Sequence, residues 1–372
     1  VTEKLRINLI PTQCGRFVGH VELNKPKALN ALDLDMARAM QAQLDSWRND
    51  ESVLLVLISG TGEKAFCAGG DIVSMYQSMQ TNKQEIPDFI SEFFTREYRL
   101  DYTIHSYPKP VIAWGEGIVM GGGIGLLAGA SHRIFTPATR LAMPEITIGL
   151  YPDVGASYFL PRAPGHTGLF LGLTGASVNA SDGLFVGLGD YVAASGALPN
   201  LIKALGARSW RDSDIASQLS ELCQAMSVAE DELPPMVLAA HQSTIDESLG
   251  PCNSAPEAVK AILSMPSADD EWLAKVQHSL RQGSPITMHL VWEQIQRGRH
   301  LSLAECFKME LIMSCRCAES GEFAEGVRAL LIDKDKTPHW QFSRVEEVPE
   351  AVVKRHFASP WETHPLTLTG EE

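Results

Sequence analysis

The sequence contains no CxxC pair, no HExxH and no histidines paired at metal-ligand spacing. Neither a zinc site nor a disulfide framework is therefore suggested. The seven cysteines (Cys14, Cys67, Cys223, Cys252, Cys306, Cys315 and Cys317) are odd in number and scattered. Cys315 and Cys317 fall in a stretch expected to be helical and read as buried thiols. The cluster Gly121-Gly122-Gly123-Ile124-Gly125 does not fit GxGxxG and no acidic ribose partner is apparent, which argues against a dinucleotide site. GxxxxGK[ST] and GxSxG are both missing, which removes a P-loop and a serine nucleophile elbow. Positive charge is scarce: 31 Lys and Arg face 45 Asp and Glu, a net −14, unlike a nucleic-acid surface. No apolar run reaches membrane length. The opening VTEKLRINLI lacks a basic segment followed by a long apolar one, so a cytoplasmic, reduced protein is expected.

The composition is that of a globular protein, 45% hydrophobic and 20% charged over 372 residues. Strands are expected at Arg16–Leu23, Val53–Ser59, Val111–Gly117 and Arg133–Thr136, runs rich in Val and Ile and bounded by Gly, Pro or Asn. Between the first two, residues 33–48 carry apolar positions at helical spacing behind Asp33, a natural N-cap. This alternation predicts an α/β core over residues 1–200. Residues 201–372 are expected to form a helical connection and a helical C-terminal region, with helices at Pro256–Leu263, Glu271–Arg281 and Pro285–Leu331, the last breaking near Gly321. The final thirty residues read as a loosely packed helix and tail. No internal repeat is visible.

Three segments could carry chemistry. In Ala65-Phe66-Cys67-Ala68-Gly69-Gly70-Asp71-Ile72 the glycines permit a sharp turn and close approach of a ligand, leaving the Gly70 N–H to donate and Asp71 to cap a helix. A plain strand-to-helix turn is the competing reading. In Gly117–Leu126 a glycine triplet opens an apolar helix, whose free N–H groups and positive end suit a developing oxyanion. Close helix–sheet packing would explain it equally well. In Met143–Gly155, Glu145 and Asp153 stand in apolar, Pro- and Gly-punctuated surroundings, which suit an acid, base or nucleophile if they are buried. Alternatively Asp153 merely caps a helix at Val154–Leu160 and Glu145 is a solvated turn residue. His132 reads as a hydrogen-bonded structural histidine.

Taken in order, and with Asn24-Lys25-Pro26-Lys27-Ala28-Leu29-Asn30-Ala31-Leu32 ahead of them, these segments resemble the enoyl-CoA hydratase/isomerase (crotonase) superfamily. The resemblance implies a crotonase-like spiral of ββα units with C-terminal helices. It also implies an acyl-CoA substrate whose thioester oxygen is gripped by the N–H groups of Gly70 and Gly122. Lys27 is implied as a contact for the coenzyme A phosphates, with Lys334 a weaker candidate. Coenzyme A is then part of the substrate, and no metal or redox cofactor is called for. Trimers and hexamers in the family leave a homo-oligomer open; a helical C-terminus folded over its own core is the alternative.

Family hydratases carry a first catalytic glutamate where this sequence has Gly125, whereas their second matches Glu145. Asp153 occupies a position that is usually glycine in hydratases. Glu145 with Asp153, together with Phe93-Phe94-Thr95-Arg96-Glu97-Tyr98, Phe159-Leu160-Pro161-Arg162, Glu322–Asp335 and Pro338-His339-Trp340, is similar to the 3-hydroxyisobutyryl-CoA hydrolase subgroup. That likeness implies thioester hydrolysis with Glu145 as nucleophile or base, Asp153 orienting the 3-hydroxyl or water, and Glu97 binding substrate. A Δ3,Δ2-enoyl-CoA isomerase needs only one carboxylate beside an oxyanion hole and is the nearest rival. A catalytically silent fold that binds RNA or a protein is the rival of another class.

Overall fold

The computed structural model describes residues 3–81 and 85–368. The chain divides into two compact units that alternate along the sequence. The first comprises residues 1–70, 100–141 and 178–237, and the second comprises 71–99, 142–177 and 238–372.

The first unit holds the strands. A six-stranded sheet runs in the order β1 (Leu5–Pro11), β2 (Phe17–Leu23), β3 (Val53–Gly60), β5 (Val111–Gly115), β7 (His132–Phe135) and β10 (Tyr191–Val192). A four-stranded sheet runs β4 (Ala65–Cys67), β6 (Ile118–Met120), β8 (Arg140–Ala142) and β9 (Val178–Asn179). Both are mixed. β1 pairs antiparallel with β2, whereas β2–β3, β3–β5, β5–β7 and β7–β10 are parallel. In the smaller sheet β4–β6 is parallel and β8–β9 antiparallel.

The pairs β3–β4, β5–β6 and β7–β8 each send their first strand to the large sheet and their second to the small one. This is a structural repeat that no sequence repeat announces. Gly117, at the β5–β6 corner, has φ +72°, and a Cβ there would stand 2.4 Å from the Lys64 carbonyl oxygen. β3 is buried at all but its last residue, as expected of a parallel strand covered on both faces. β1 is an edge strand with only Leu5 fully buried, and it closes on Pro11, which cannot donate to a ladder. The core beneath the large sheet gathers Leu55, Leu57, Ile112, Trp114, Leu201 and Leu219.

The second unit is helical. Asp71 caps the helix Ile72–Met79 through the Ser74 N–H. Two short turns, at residues 145–148 and 156–162, are surrounded by helices Thr167–Thr174, Ala255–Leu263, Glu271–Gln282, Pro285–Gly298, Leu303–Ser320 and Glu322–Val327. The expected break at Gly321 is present, with φ +86°. A second break, at residues 299–302, corrects the expected continuous stretch. Gly298 ends one helix and a Cβ there would lie 1.8 Å from the Ser157 carbonyl oxygen. Ser302 and Glu305 open the next helix with a reciprocal capping box. The expected helix near the C-terminus is Glu350–His356, and the tail beyond residue 368 lies outside the described residues.

Candidate active site

The two glycine segments of the first unit follow neighbouring parallel strands. β4 leads into Ala68-Gly69-Gly70 and β6 into Gly121-Gly122, so pairing of β4 with β6 brings the two loops side by side. Ala68 N–H donates to the Leu29 carbonyl and Leu32 N–H to that of Gly69, tying the first loop to the Asn24–Leu32 segment. Asn30 secures that segment in turn, its amide donating to the carbonyls of Thr61 and Ala65. A Cβ on Gly69, whose φ is +107°, would sit 3.7 Å from the Gly122 nitrogen. On Gly123 a Cβ would fall 2.1 Å from the Cys67 carbonyl oxygen, so only glycine permits the approach.

Gly122 is the first residue of the helix Gly122–Ala128 behind Gly121, which has φ +49°. A first-turn N–H has no acceptor within its own helix. Lys27 is exposed on the short turn Pro26–Ala28 and lines a groove with Lys64. Lys334 is exposed in the second unit with φ +58°.

In the second unit, Glu97, Glu145 and Asp153 come together from a helix and two turns. They are 2%, 5% and 4% exposed, which rules out a solvated turn position for Glu145. Burial, then the neighbouring Asp153, pushes both Glu97 and Glu145 well above the ordinary carboxylate range. Burial likewise raises Asp153 to about 6, opposed by its contact with Tyr98. Glu97 Oε1 and Glu145 Oε2 have no hydrogen-bond partner among the described residues. Buried oxygens of this kind carry a desolvation cost that a polar ligand could relieve.

Glu145 opens the turn Glu145–Ile148, closed by Gly149 at φ +67°. Ser284 N–H donates to the Ile146 carbonyl at 3.1 Å, while the Ser284 hydroxyl donates to Glu322, which is itself buried. Close backbone approach fixes the turn further. A Cβ on Gly149 would be 2.3 Å from the Glu322 carbonyl oxygen, and one on Gly326 2.3 Å from the Ile148 carbonyl carbon.

Asp153 does not use its side chain as a helix cap. Its Oδ2 lies 2.6 Å from Tyr98 Oη, while the following short helix, Ala156–Phe159, has no side-chain cap at all. The intervening Val154 has φ +54° and Gly155 φ +94°. Left-handed backbone at a β-branched residue is costly and persists only where surrounding structure holds it. Glu310, fully buried, accepts from Gly155 N–H and Ser157 N–H at 2.8 Å each. Gln294 donates to the Pro152 carbonyl and to Ser157 Oγ. Burial pushes Glu310 up to about 8, against the two N–H donors that hold it down.

Tyr98, Tyr151, Gln294, Glu310 and Ser314 were not anticipated as contributors. A signal existed for two of them. Glu310 and Ser314 fall on the same helical face as Phe307 and Leu311, where residues three and four apart line one buried stripe.

Residues 18–357 match the enoyl-CoA hydratase/isomerase family model. The chain is 41% identical over 343 residues to the mitochondrial 3-hydroxyisobutyryl-CoA hydrolase of Danio rerio, covering 92% of this chain and 87% of that protein. Its identity to the Homo sapiens protein of the same name is 35% over 342 residues, covering 92% and 86%. The solved structure of a carnitinyl-CoA dehydratase from Mycobacterium thermoresistibile is 33% identical, covers 100% of both chains and superposes with a TM-score of 0.85. An enoyl-CoA hydratase from Rhodobacter sphaeroides is 31% identical, with a TM-score of 0.82 over 96% of this chain and 98% of its own.

The chain belongs to the enoyl-CoA hydratase/isomerase family and has the crotonase α/β fold with a helical C-terminal region. It is an acyl-CoA enzyme of that family, similar to 3-hydroxyisobutyryl-CoA hydrolases over most of its length. No helix among the described residues is long and apolar enough to cross a membrane.

Proposed function

We propose that the protein hydrolyses a short 3-hydroxyacyl-CoA thioester, foremost 3-hydroxyisobutyryl-CoA, to coenzyme A and the free hydroxy acid, the valine-degradation step. The observation that carries this reading is the buried set Glu97, Glu145 and Asp153, two members of which hold an oxygen without a partner. Gly125, buried in its helix, removes the first of the two glutamates a hydratase uses and disfavours water addition.

In this reading the thioester oxygen is held by the N–H groups of Gly70 and Gly122. Such donors act on charge that develops only in the transition state. Glu145 attacks the carbonyl to give a mixed anhydride that water opens, or it deprotonates the water directly. Asp153 serves the water or the 3-hydroxyl, and Glu97 selects the hydroxyl, because a polar group read by buried partners is discriminated far better than a methylene. Lys27 contacts the coenzyme A phosphates. Neither route calls for a metal or redox cofactor. The seven free thiols fit a reducing compartment; the Danio rerio and Homo sapiens relatives are named as mitochondrial.

Free-thiol release from 3-hydroxyisobutyryl-CoA is the test, and it also excludes isomerisation, which frees no thiol. Glu145→Ala is expected to lower turnover by at least about 1,000-fold; retention of most activity would remove Glu145 from the mechanism. A single turnover in ¹⁸O water distinguishes the routes: label in Glu145 marks the anhydride, and its absence marks direct attack.

A further inference from the structure

A chain of hydroxyl contacts leads away from Asp153 into the second unit. Asp153 Oδ2 and Tyr98 Oη are 2.6 Å apart, Tyr98 Oη and Ser314 Oγ 2.6 Å, Ser314 Oγ and Tyr151 Oη 2.8 Å, and Tyr151 Oη and the Glu310 carbonyl oxygen 2.5 Å. All five residues are buried. Every link is at a distance at which two oxygens share a hydrogen.

Four links need four hydrogens. Tyr98, Ser314 and Tyr151 supply one each, and the Glu310 carbonyl supplies none. Were Asp153 ionised, Tyr98 would donate to it and Tyr151 to Glu310, leaving the single Ser314 hydrogen to serve two contacts. One buried oxygen pair would then face each other with no hydrogen between them, which is repulsive and unsolvated. With Asp153 protonated the count closes: Asp153 donates to Tyr98, Tyr98 to Ser314, Ser314 to Tyr151, and Tyr151 to the carbonyl.

We propose that Tyr98, Ser314 and Tyr151 form a closed hydroxyl chain that holds Asp153 in its acid form in the resting protein, so that Asp153 works as a proton donor. The proposal rests on the hydrolytic reading above for the identity of the acceptor. As the C–S bond breaks, the Asp153 proton passes to the departing coenzyme A sulfur and leaves a carboxylate, to which Tyr98 then turns its hydrogen. When water opens the anhydride, its hydroxyl joins the Glu145 carboxyl carbon and its proton returns to Asp153, while the hydroxy acid leaves as a carboxylate that takes the proton of the Glu145 acid. One thioester and one water thus give one thiol and one acid, with both side chains restored.

The ionisable groups around Asp153 agree with this assignment. Glu97 and Tyr98 face it from one helix, Glu145 and Tyr151 from the adjoining turn, and Glu310 and Cys317 from the helix Leu303–Ser320. Three clustered carboxylates cannot all ionise at little cost. Burial raises Glu145 most, and a proton on Asp153 removes the larger of the two carboxylate repulsions added to it, which favours charge on Glu145. Donation from Tyr98 is the main restraint keeping Asp153 near 6. With that hydrogen turned to Ser314 the restraint disappears.

Ser314→Ala supplies the test, because it removes two links and frees the Tyr98 hydrogen for Asp153. In protein labelled with ¹³C at the aspartate carboxyl, the Asp153 signal is assigned by its loss in Asp153→Asn and followed through a pH titration. The wild-type signal is expected to titrate above pH 7. Ser314→Ala is expected to lower its midpoint by about one unit or more. Tyr98→Phe, which deletes the acceptor for the acid, is expected to lower it too; if Tyr98 serves instead as donor to a carboxylate, that change raises the midpoint. An unshifted midpoint in Ser314→Ala, or a raised one in Tyr98→Phe, overturns the proposal. The titration needs no turnover, so it stands whether or not the wild-type protein releases thiol, and thiol release alone decides the hydrolytic reading.

Discussion

The glycine loops of the first unit and the carboxylate set of the second reach functional geometry by opposite means. Around Gly70 and Gly122 the working groups are backbone N–H donors, and order comes from the absence of side chains. Gly69 supplies a backbone turn at positive φ, and Gly123 lets the β4 and β6 loops approach to a distance no Cβ would allow. Around Glu145 and Asp153 the working groups are side chains, and order comes from other buried polar side chains. Glu322, Ser284, Gln294 and Glu310 hold the two turns that present the carboxylates. The first arrangement fails through added volume, the second through a lost hydrogen-bond partner.

Mutations can break that contrast from either side. After removal of Glu145 itself, the largest effect is expected for Gly123→Ala, whose methyl would collide with the Cys67 carbonyl and push the loops apart. Overpacking of this kind costs about 1–3 kcal/mol of stability. Misplaced donors should lower the rate of acyl-CoA turnover by about 100-fold, read from steady-state kinetics beside a thermal melt. A melt and a rate like the wild type's would show that the loops tolerate the volume.

Glu97→Gln addresses the other side. Preference for a 3-hydroxyacyl-CoA over the unsubstituted acyl-CoA is expected to fall roughly 10–100-fold in kcat/KM, the scale of one hydrogen bond to a charged group. Equal loss on both substrates would indicate a structural role for Glu97 instead. Glu310→Gln leaves one of the two N–H groups of the 155–157 turn unpaired, and kcat should drop about tenfold with KM little changed. A rise in KM alone would place the damage elsewhere.

The smallest expected effect is a slope. Burial raises the Asp153 carboxyl above the 3.8 of the free group and pushes Glu310 from 4.5 up to about 8. Across that span the unfolded chain binds fewer protons than the folded one, so stability falls as pH rises. Melting temperatures should therefore decline between about pH 4 and pH 8, and Glu310→Gln should flatten the upper part of that decline. A melting temperature that climbs with pH would contradict the buried acids.

What the sequence discloses follows the same divide. The parallel strands β3 and β5 are visible as continuous apolar runs because they are buried on both faces, and β2 and β7 as shorter Val- or Ile-containing stretches. The triplets Ala65–Cys67 and Ile118–Met120 are too short to stand out, and β1 is an edge strand with little buried surface. The glycine loops announce themselves through composition. Glu145 and Asp153 are noticeable as acids in apolar segments, whereas the groups that hold them lie some 130 to 180 residues further on and contact them only after folding. Ser314 shares the buried helical stripe of Glu310, yet a serine on such a face has many ordinary explanations.

The alternation of the two units along the chain also orders events during synthesis. Glu97, Glu145 and Asp153 emerge on two short inserts, residues 71–99 and 142–177, between segments of the first unit. Their supports, from Ser284 to Glu322, belong to the last and longest segment, residues 238–372. A nascent chain that has finished the sheets therefore still carries three acids without the side chains that bury them. Until the final third is made they meet water, ionise near ordinary pH values and have no reactive poise.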